Sequence, residues 1–339
     1  MRPFYQGKTV LVTGGTGSIG LELVRLLLQY HTKEIRVFTN DEDGLFRASN
    51  FIQSTKVTYL LGDVREPHSI ERAIKGCDIV FHTAALKHVD FCEVNPYEAI
   101  STNIMGTQNM IEAAMSNYVR HFVFISTDKA VNPVSTMGAT KLLGERLVAS
   151  AAKRTSQTVF STVRFGNVLG SRGSVVLIFE REIRLGKPIT ITDPRMTRFI
   201  MAPSDASKLV LKSIELAKSG EILVLKMKSA RILDLAEACK VFFAKIYRKN
   251  PRDIMLKVIG AQPGEKIHEE LMTYDEALTA RDLGDYIVLN PHPHRKEPHL
   301  ASGGKRMLAS NLAPKASKRE ILTMLSELYN QDSVHRSTG

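Results

Sequence analysis

The sequence contains few cysteines, and their number and spacing exclude two kinds of small cross-linked protein. Cys77, Cys92 and Cys239 are odd in number and widely separated along 339 residues. Three such cysteines build no disulfide framework, and their spacing matches no zinc motif. We therefore expect free thiols, a reducing compartment and no bound metal.

Long apolar runs are also absent. No stretch of the sequence approaches the roughly 18 apolar residues of a membrane span. A strand pattern begins within the opening "MRPFYQGKTVLV", which leaves no space for a signal peptide. The sequence therefore predicts a cytoplasmic protein that does not enter the membrane.

Positive charge is plentiful, but it lacks the pattern of a nucleic-acid surface. The formal charge is +11, yet no Lys/Arg-rich block is interleaved with aromatic residues. The late basic runs are typical of solvated surface, so we expect no nucleic-acid partner. Residues 291–308 carry Pro, Gly, His and charge without periodicity, which predicts a mobile loop, and no Cys or acid at a matching spacing completes a metal site.

What the sequence does contain is a regular alternation of short apolar runs and amphipathic segments. Five apolar strands separated by helices are typical of an α/β fold with a doubly wound parallel sheet covered on both faces. The segment "TVFSTVRFGNVLG" predicts a sixth strand. We predict a dinucleotide-binding Rossmann domain over residues 1–167, joined by returning segments, and a smaller substrate-binding lobe over residues 168–330.

A glycine-rich turn, "TGGTGSIG", lies between the first strand and the first helix. In this position Gly14 permits the tight turn, Gly17 lets the backbone approach a pyrophosphate, and Gly20 allows close helix packing. Asn40 and Asp41 follow the second strand, where an acid usually contacts a ribose hydroxyl. Their charge favours NAD, while Arg36 or Arg47 leaves NADP open. The predicted cofactor-binding residues are Gly14, Thr16, Gly17, Ser18, Ile19, Gly20, Asn40, Asp41, Asp63, Val64, Ala84, Ala85, Lys87, Asn103 and Lys141.

Eight ordered motifs between residues 10 and 271 resemble the extended short-chain dehydrogenase/reductases. Within that group the sequence is similar to the UDP-N-acetylglucosamine 4,6-dehydratases of bacterial and archaeal glycan synthesis. The motifs are "TGGTGSIG", "GDVRE", "HTAALKHV", "TNIMGTQN", "STDKAVNP", "RFGNVLGSRGSV", "ITDPRMTRF" and "PGEKIHEEL".

The resemblance implies a lyase that acts on UDP-GlcNAc or a close UDP-sugar. A tightly bound NAD or NADP would accept a hydride from sugar carbon 4, water would leave across carbons 5 and 6, and the hydride would return at carbon 6. The cofactor is regenerated in each turnover, and carbon 5 is inverted or retained. Relatives of this kind form homo-oligomers, so we expect one here.

The catalytic roles centre on "STDKA", which ends the fifth strand. We assign Asp128 as the acid and Lys129 as the base of the elimination, and burial beside the sugar is expected to raise the pKa of the acid and lower that of the lysine. Lys141 is expected to bind the nicotinamide ribose and to favour deprotonation of the carbon 4 hydroxyl. Thr127 or Ser126 is expected to hydrogen-bond that hydroxyl.

The resemblance includes one departure from the usual pattern. The family normally has Tyr four residues before Lys141, whereas this chain has Met137, as does a capsule-type subgroup of these dehydratases. A thioether has no pKa in range and cannot take the carbon 4 proton. Met137 therefore either shapes the site against sugar or nicotinamide or fills the core.

The remaining candidates concern the nucleotide sugar. Glycine-rich backbone and basic side chains suit a diphosphate, and hydroxyl groups suit a uracil. Gln262 stands where relatives often have Arg, and His88 and His268 are interpreted as structural. The predicted substrate-binding residues are Lys87, Thr127, Asn167, Arg172, Ser174, Val175, Thr190, Thr192, Arg198 and Lys266.

Two other functions compete with the dehydratase. A UDP-sugar 4-epimerase performs the oxidation without elimination, and it needs a strong base at carbon 4 but no Asp-Lys pair. A non-catalytic NAD(P)-binding sensor keeps the fold alone and has no use for Asp128, Lys129 and Lys141. The residues present favour the dehydratase over both.

Overall fold

The structure is a computed structural model that describes residues 2–290 and 309–336, with side chains described over residues 4–290 and 309–329. The predicted loop 291–308, with its histidines, lies outside the described residues. The predicted α/β class is confirmed, because a large and mostly parallel sheet carries helices on both faces.

The described residues form fourteen strands. Their bounds are β1 Thr9–Thr13, β2 Glu34–Thr39, β3 Val57–Leu61, β4 Ile79–His82, β5 His121–Thr127, β6 Val159–Phe165, β7 Asn167–Val168, β8 Ile189–Ile191, β9 Thr197–Met201, β10 Ile222–Leu225, β11 Lys228–Arg231, β12 Leu256–Val258, β13 Arg281–Leu283 and β14 Tyr286–Leu289.

Thirteen α-helices connect or follow these strands in the described chain. Their bounds are α1 Arg2–Tyr5, α2 Ser18–Leu27, α3 Glu42–Phe51, α4 Pro67–Ile74, α5 Val89–Val94, α6 Pro96–Ala99, α7 Gly106–Ser116, α8 Thr136–Arg154, α9 Val175–Arg184, α10 Pro203–Leu216, α11 Ile232–Ile246, α12 Tyr274–Leu278 and α13 Lys318–Arg336.

Nine strands form the main sheet, in the order β13-β14-β10-β6-β5-β4-β1-β2-β3. The pairs from β3 to β10 are parallel, and β14 and β13 add an antiparallel edge. Alternate residues of β1 enter different cores, since Val10 and Val12 pack on one face and Leu11 on the other. From β1 the strands are added towards one edge of the sheet as far as β3, and from β4 onwards they are added towards the other edge. Such folds bind ligands at this switch point between β1 and β4.

The predicted sixth strand is wrong in its extent. β6 ends at Phe165, and β7 belongs to a separate three-stranded sheet with β9 and β11. The break falls at Gly166, where an added Cβ would lie 2.5 Å from the Cβ of Phe199 on β9. The two segments of the chain therefore approach too closely at this point for residue 166 to carry a side chain. The single apolar run therefore serves two sheets.

The C-terminal part of the chain contributes to both halves of the molecule. Helix α10 packs on α2, and β10, β14 and β13 extend the main sheet. A second core, built from α9, α11, α13 and the small sheets, forms the lobe beside the carboxyl ends of the parallel strands. Within the described residues, no helix is long and apolar enough to cross a membrane.

A buried ion network joins the main sheet to the returning chain. The guanidinium of Arg164 on β6 donates two hydrogen bonds to Glu145 of α8, at 3.0 and 2.6 Å, and two to Glu276, at 2.9 and 3.0 Å. It also donates to the carbonyl oxygen of Leu271 at 3.0 Å. Arg164 is 1% exposed, so these bonds form away from water.

We expect Arg164→Met to lower the free energy of unfolding by about 3 kcal/mol or more, because it leaves Glu145 and Glu276 buried without their cation. Urea unfolding followed by circular dichroism measures the loss. Arg154→Met is the matched control, since Arg154 pairs with Glu112 at the surface and its removal should cause no resolvable change. Equal losses of unfolding free energy in the two variants would contradict the proposed contribution of the Arg164 network to stability.

Candidate active site

A cavity of about 970 Å³ opens at the carboxyl ends of the parallel strands, between the main sheet and the lobe. Most predicted site residues line it. These are Gly14, Thr16, Gly17, Ser18, Ile19, Gly20, Asn40, Asp41, Asp63, Val64, Ala84, Ala85, Lys87, Thr127, Lys129, Met137, Lys141, Asn167, Arg172, Ser174, Val175, Thr190, Thr192 and Arg198.

The glycine-rich turn is shaped for a dinucleotide. Gly14 has φ +61°, and an added Cβ there would lie 2.8 Å from backbone atoms of Ala84. An added Cβ on Gly20 would lie 2.5 Å from the carbonyl oxygen of Gly14, so helix and turn are in direct contact. Gly17 caps α2 without a side-chain hydrogen bond. The first amide groups of α2 are thus available to a pyrophosphate, and the residues present fit a dinucleotide cofactor.

Asp41 and Arg172 meet beside this turn. The Arg172 guanidinium donates to Asp41 Oδ2 at 3.1 Å and to the carbonyl oxygen of Thr16 at 2.9 Å. Burial opposes ionisation of Asp41, but the Gly44 amide and the Arg172 guanidinium outweigh it and lower the pKa of this carboxyl. Arg172, which the sequence assigns to the substrate, therefore lies at the ribose end of the cofactor region. Its charge offsets that of Asp41, so Asp41 is a weaker argument for NAD than the sequence indicates.

The side chain of Arg36, the alternative candidate for a phosphate contact, is bound to other groups of the protein. Its guanidinium donates to the carbonyl oxygens of Ala73 and Lys75, at 2.9 and 2.8 Å, and pairs with Glu34. Neither Arg36 nor Arg47 is among the described residues that line the cavity.

Lys141 lies on the first turns of α8, below the end of β5. Its Nζ donates to the carbonyl oxygen of Ile125 at 2.8 Å and lies 4.6 Å from the centre of the Phe124 ring. Burial lowers the pKa of Lys141 to about 8, although Glu145 one turn later acts in the opposite direction. Lys141 therefore loses its proton more readily than a lysine in water does, and it lines the cavity.

Met137 both fills a small apolar core and lines the cavity. It is 4% exposed and packs with Cys92, Ala99 and Val89 in a small apolar cluster, and it also lines the cavity. Ser135 caps α8 by accepting a hydrogen bond from the Gly138 amide at 3.1 Å, which fixes the turn that carries Met137. Met137 thus provides an apolar wall one helical turn before Lys141.

Asp128 and Lys129 form the start of a buried charged cluster. Lys129 Nζ donates to Asp128 Oδ1 at 3.0 Å and to Asn167 Oδ1 at 3.2 Å, and it lies 3.2 Å from Glu269 Oε1. Thr127 donates to Asp128 Oδ1 at 2.9 Å and accepts from the Lys129 amide. Asp128 is 0% exposed and lies behind Lys129 and Thr127, so only these two of the three face the cavity.

The pKa of Asp128 is raised, in the direction in which burial acts, whereas the pKa of Lys129 is raised against the effect of burial. Burial raises the pKa of Asp128 and Glu269 adds to this, although Lys129 opposes both, so the direction suits an acid. Burial lowers the pKa of Lys129, but the carboxylates of Asp128 and Glu269 outweigh it, and the net direction is upward. Burial thus acts on Lys129 in the expected direction, and the attraction of the two carboxylates, which the sequence alone could not weigh, outweighs it.

Three predicted residues do not reach the cavity. Asn103 is 1% exposed and donates to Thr140 Oγ1 and to the Leu86 carbonyl oxygen, so it braces the loop after β4. Lys266 donates to the carbonyl oxygen of Val131 at 2.6 Å. Asp128 is the third, as described above. Ser126 faces the cavity, but its hydroxyl donates to Glu145 at 2.6 Å.

The lobe supplies the opposite wall of the cavity. Thr190 donates to Glu182 at 2.6 Å, and Arg198 donates to two carbonyl oxygens of the lobe, those of Thr197 and Ile267, at 2.9 and 3.2 Å. Lys87 reaches across and donates to the carbonyl oxygen of Arg172 at 2.6 Å. These hydrogen bonds hold the backbone of this wall in place.

Sequence reasoning missed or set aside several residues of the site. His88 lines the cavity, whereas His268 bonds to Thr197 and does not. Gln262 lines the cavity, and Glu269 contacts Lys129. Glu269 lies 140 positions after Lys129 in sequence, and only the motif "PGEKIHEEL" that contains it signalled this segment.

Several proteins are similar to this chain over most of its length. An uncharacterised membrane protein of Methanocaldococcus jannaschii is 52% identical over 85% of this chain and 87% of its own. A UDP-glucose 4-epimerase of Rickettsia bellii is 42% identical over 96% of this chain and 97% of its own. The UDP-N-acetylglucosamine 4,6-dehydratase (inverting) of Campylobacter jejuni is 40% identical over 85% of this chain and 84% of its own.

Solved structures agree with this fold. That of Pen from Bacillus thuringiensis is 40% identical, covers 96% of this chain and 99% of its own, and superposes with a TM-score of 0.90. DesIV, a dTDP-glucose 4,6-dehydratase from Streptomyces venezuelae solved with NAD, is 20% identical over 76% of this chain and 86% of its own, with a TM-score of 0.67, and supports the fold alone. The sequence profile of the family described as polysaccharide biosynthesis protein matches residues 10–291. The chain therefore belongs to this polysaccharide biosynthesis family of extended short-chain dehydrogenase/reductases.

Proposed function

We propose that the chain is a nucleotide-sugar 4,6-dehydratase that converts UDP-GlcNAc to a UDP-4-keto-6-deoxy-hexosamine for surface glycan synthesis in the cytoplasm. The observation that carries this proposal is the charged pair at the end of β5: Lys129 faces the cavity, and Asp128 lies directly behind it. An elimination needs a proton acceptor and a proton donor at neighbouring sugar carbons. The curated relative that is named as an inverting dehydratase supports the same substrate.

The cofactor that fits this site is NAD or NADP. When bound, it accepts and returns the two electrons that are removed at carbon 4. The first turn of α2 would hold its pyrophosphate, and Asp41 with Arg172 would contact the adenosine ribose, where the guanidinium also suits a 2′-phosphate. Lys141 would contact the nicotinamide ribose.

The chain's own residues divide the remaining work. Thr127 would orient the substrate from the end of β5, and Lys141, with its pKa lowered to about 8 by burial, can hold or release a proton near carbon 4. Met137 offers no proton acceptor and shapes the wall beside them. Asn167 and the lobe, with Thr190, would bind the nucleotide diphosphate and uracil.

A UDP-sugar 4-epimerase is the second candidate, because several relatives, including the Rickettsia bellii protein, carry that name. This reaction stops at oxidation and reduction of carbon 4, so it makes no use of a buried Asp-Lys pair. The charged cluster at Lys129 favours elimination. A sensor without catalysis explains neither this pair nor Lys141.

Incubation of the purified protein with UDP-GlcNAc and NAD or NADP should give a product that lacks one water, detected by mass spectrometry. Proton spectra should show a methyl group at carbon 6. A product of unchanged mass with inverted carbon 4 would support the epimerase instead. An unaltered substrate after long incubation with either cofactor would contradict both enzymes.

Lys129→Gln should reduce dehydration by about 100-fold or more, because the amide keeps hydrogen bonds to the carboxylates but cannot take a proton. Binding of UDP-GlcNAc and of the cofactor, measured by calorimetry, should be retained. The control is Lys212→Gln, since Lys212 pairs with Glu215 on α10, away from the cavity. Wild-type rates of dehydration in Lys129→Gln would exclude Lys129 as the base.

A further inference from the structure

The charged cluster contains one residue that the proposed reaction has not yet used. Glu269 is 2% exposed and belongs to the segment after β12, which pairs with the chain near Ser310. Its Oε1 lies 3.2 Å from Lys129 Nζ and 3.8 Å from Arg198 Nε. Burying a carboxylate to this degree is costly unless it is paired, and Lys129 provides the nearest pairing.

Each of the three hydrogen-bond donors of the Lys129 ammonium has an acceptor in the protein. An ammonium group has three N–H donors, and here three oxygens surround it, from Asp128, Asn167 and Glu269. Asn167 is itself held in place, because its amide nitrogen donates to the carbonyl oxygen of Phe199 at 3.2 Å. The three oxygens therefore hold Lys129 Nζ at the cavity, and the charges of the two carboxylates among them determine how readily it loses its proton.

Glu269 differs from Asp128 in its origin, because it comes from the lobe, whereas Asp128 lies next to Lys129 at the end of β5. Asp128 Oδ2 and Glu269 Oε2 are both buried without a hydrogen-bond partner among the described residues, so for each carboxylate the contact with Lys129 is made by the other oxygen. We propose that Glu269 is a positioning residue of the elimination, which holds the Lys129 ammonium beside Asp128 and sets the pH at which Lys129 loses its proton and can take that of carbon 5. This inference rests on the proposed dehydratase function.

The proton count of the reaction closes without a proton on Glu269. Deprotonated Lys129 takes the proton from carbon 5, while the carbon 5 to carbon 6 double bond forms and the carbon 6 to oxygen bond breaks. Asp128 passes its proton to the Thr127 hydroxyl as that hydroxyl gives its own proton to the departing oxygen, which leaves as water. Lys129 returns its proton to carbon 5 when the hydride returns at carbon 6, and the proton released by the carbon 4 hydroxyl restores Asp128.

The charges around the cluster support this assignment. Asp128 and Glu269 raise the pKa of Lys129 against burial, while Arg198 lowers it. Burial raises the pKa of Glu269, but Lys129, Arg198 and Lys266 outweigh it and hold the net direction downward. Glu269 also raises the pKa of Asp128. Loss of the Glu269 charge should therefore lower the pKa of both Lys129 and Asp128.

The test is Glu269→Gln, which keeps the size of the side chain and removes its charge. The pKa of Lys129 is measured in the whole protein by competitive acetic anhydride labelling across pH, with mass spectrometry of the Lys129 peptide. We expect it to fall by about one unit or more in the variant. The pH profile of kcat for dehydration should move to lower pH by a similar amount, with KM for UDP-GlcNAc unchanged.

Two further variants serve as controls. Glu270→Gln removes the neighbouring carboxylate, which contacts Lys266 and Asn132 but not Lys129, and should leave the Lys129 titration and the pH profile unchanged. Glu269→Asp keeps the charge and should restore part of the wild-type profile. If Glu269→Gln does not fold, Glu269→Asp alone must still shift the Lys129 titration, because its carboxylate is set back from the ammonium.

The outcomes separate this inference from the proposed function. An unchanged Lys129 titration in the Glu269 variants, or an equal shift in Glu270→Gln, would overturn the role of Glu269. Failure of the wild-type protein to dehydrate UDP-GlcNAc would overturn the proposed function, whatever the labelling shows. A loss of kcat without any displacement of the pH profile would indicate a merely structural role and would also overturn the inference.

Discussion

Helices cover both faces of the parallel sheet, and this burial determines where chemistry can occur. The middle residues of β1, β4 and β5 are apolar, because a buried polar side chain loses its water and needs a partner within the protein, as Arg164 of β6 has in Glu145 and Glu276. Polar groups are instead concentrated where the strands end. Because the strands are parallel, their carboxyl ends share one edge, and the glycine turn, Asp41, Thr127 and Lys129 all meet at a single cavity.

The lobe completes this edge with charge as well as shape. It places Glu269 against Lys129 and Arg198 near Glu269, so a lysine at the end of the sheet is paired with a carboxylate from the lobe. The Arg164 network fixes the chain just after Glu269, at Leu271 and Glu276, to β6 and α8. The same network reaches Ser126, near the carboxyl end of β5, through Glu145.

The absence of a tyrosine at residue 137 is consistent with this arrangement. Met137 is supported by an apolar cluster on one side and the cavity on the other, so the thioether matches its surroundings. The two lysines that line the same cavity have different environments. Lys141 is buried with one distant carboxylate, which leaves its pKa low, whereas Lys129 contacts two carboxylates, which raise its pKa. Two lysines near the end of β5 therefore have pKa values shifted in opposite directions.

The sequence alone determined the parallel sheet, the glycine turn, the Asp-Lys pair and the substitution at Met137. These features depend on local periodicity or on short motifs, which a chain displays whatever its distant contacts. Tertiary structure decided the depth of Asp128, the position of Arg172 at the cofactor end, the withdrawal of Asn103 and Lys266, and the contact of Glu269 with Lys129. It also divided the sixth strand at Gly166 and added β10, β14 and β13, whose segments are too short to show a period. Each of these outcomes depends on residues far apart in the chain, and the pKa of a buried lysine depends on the charges that folding brings beside it.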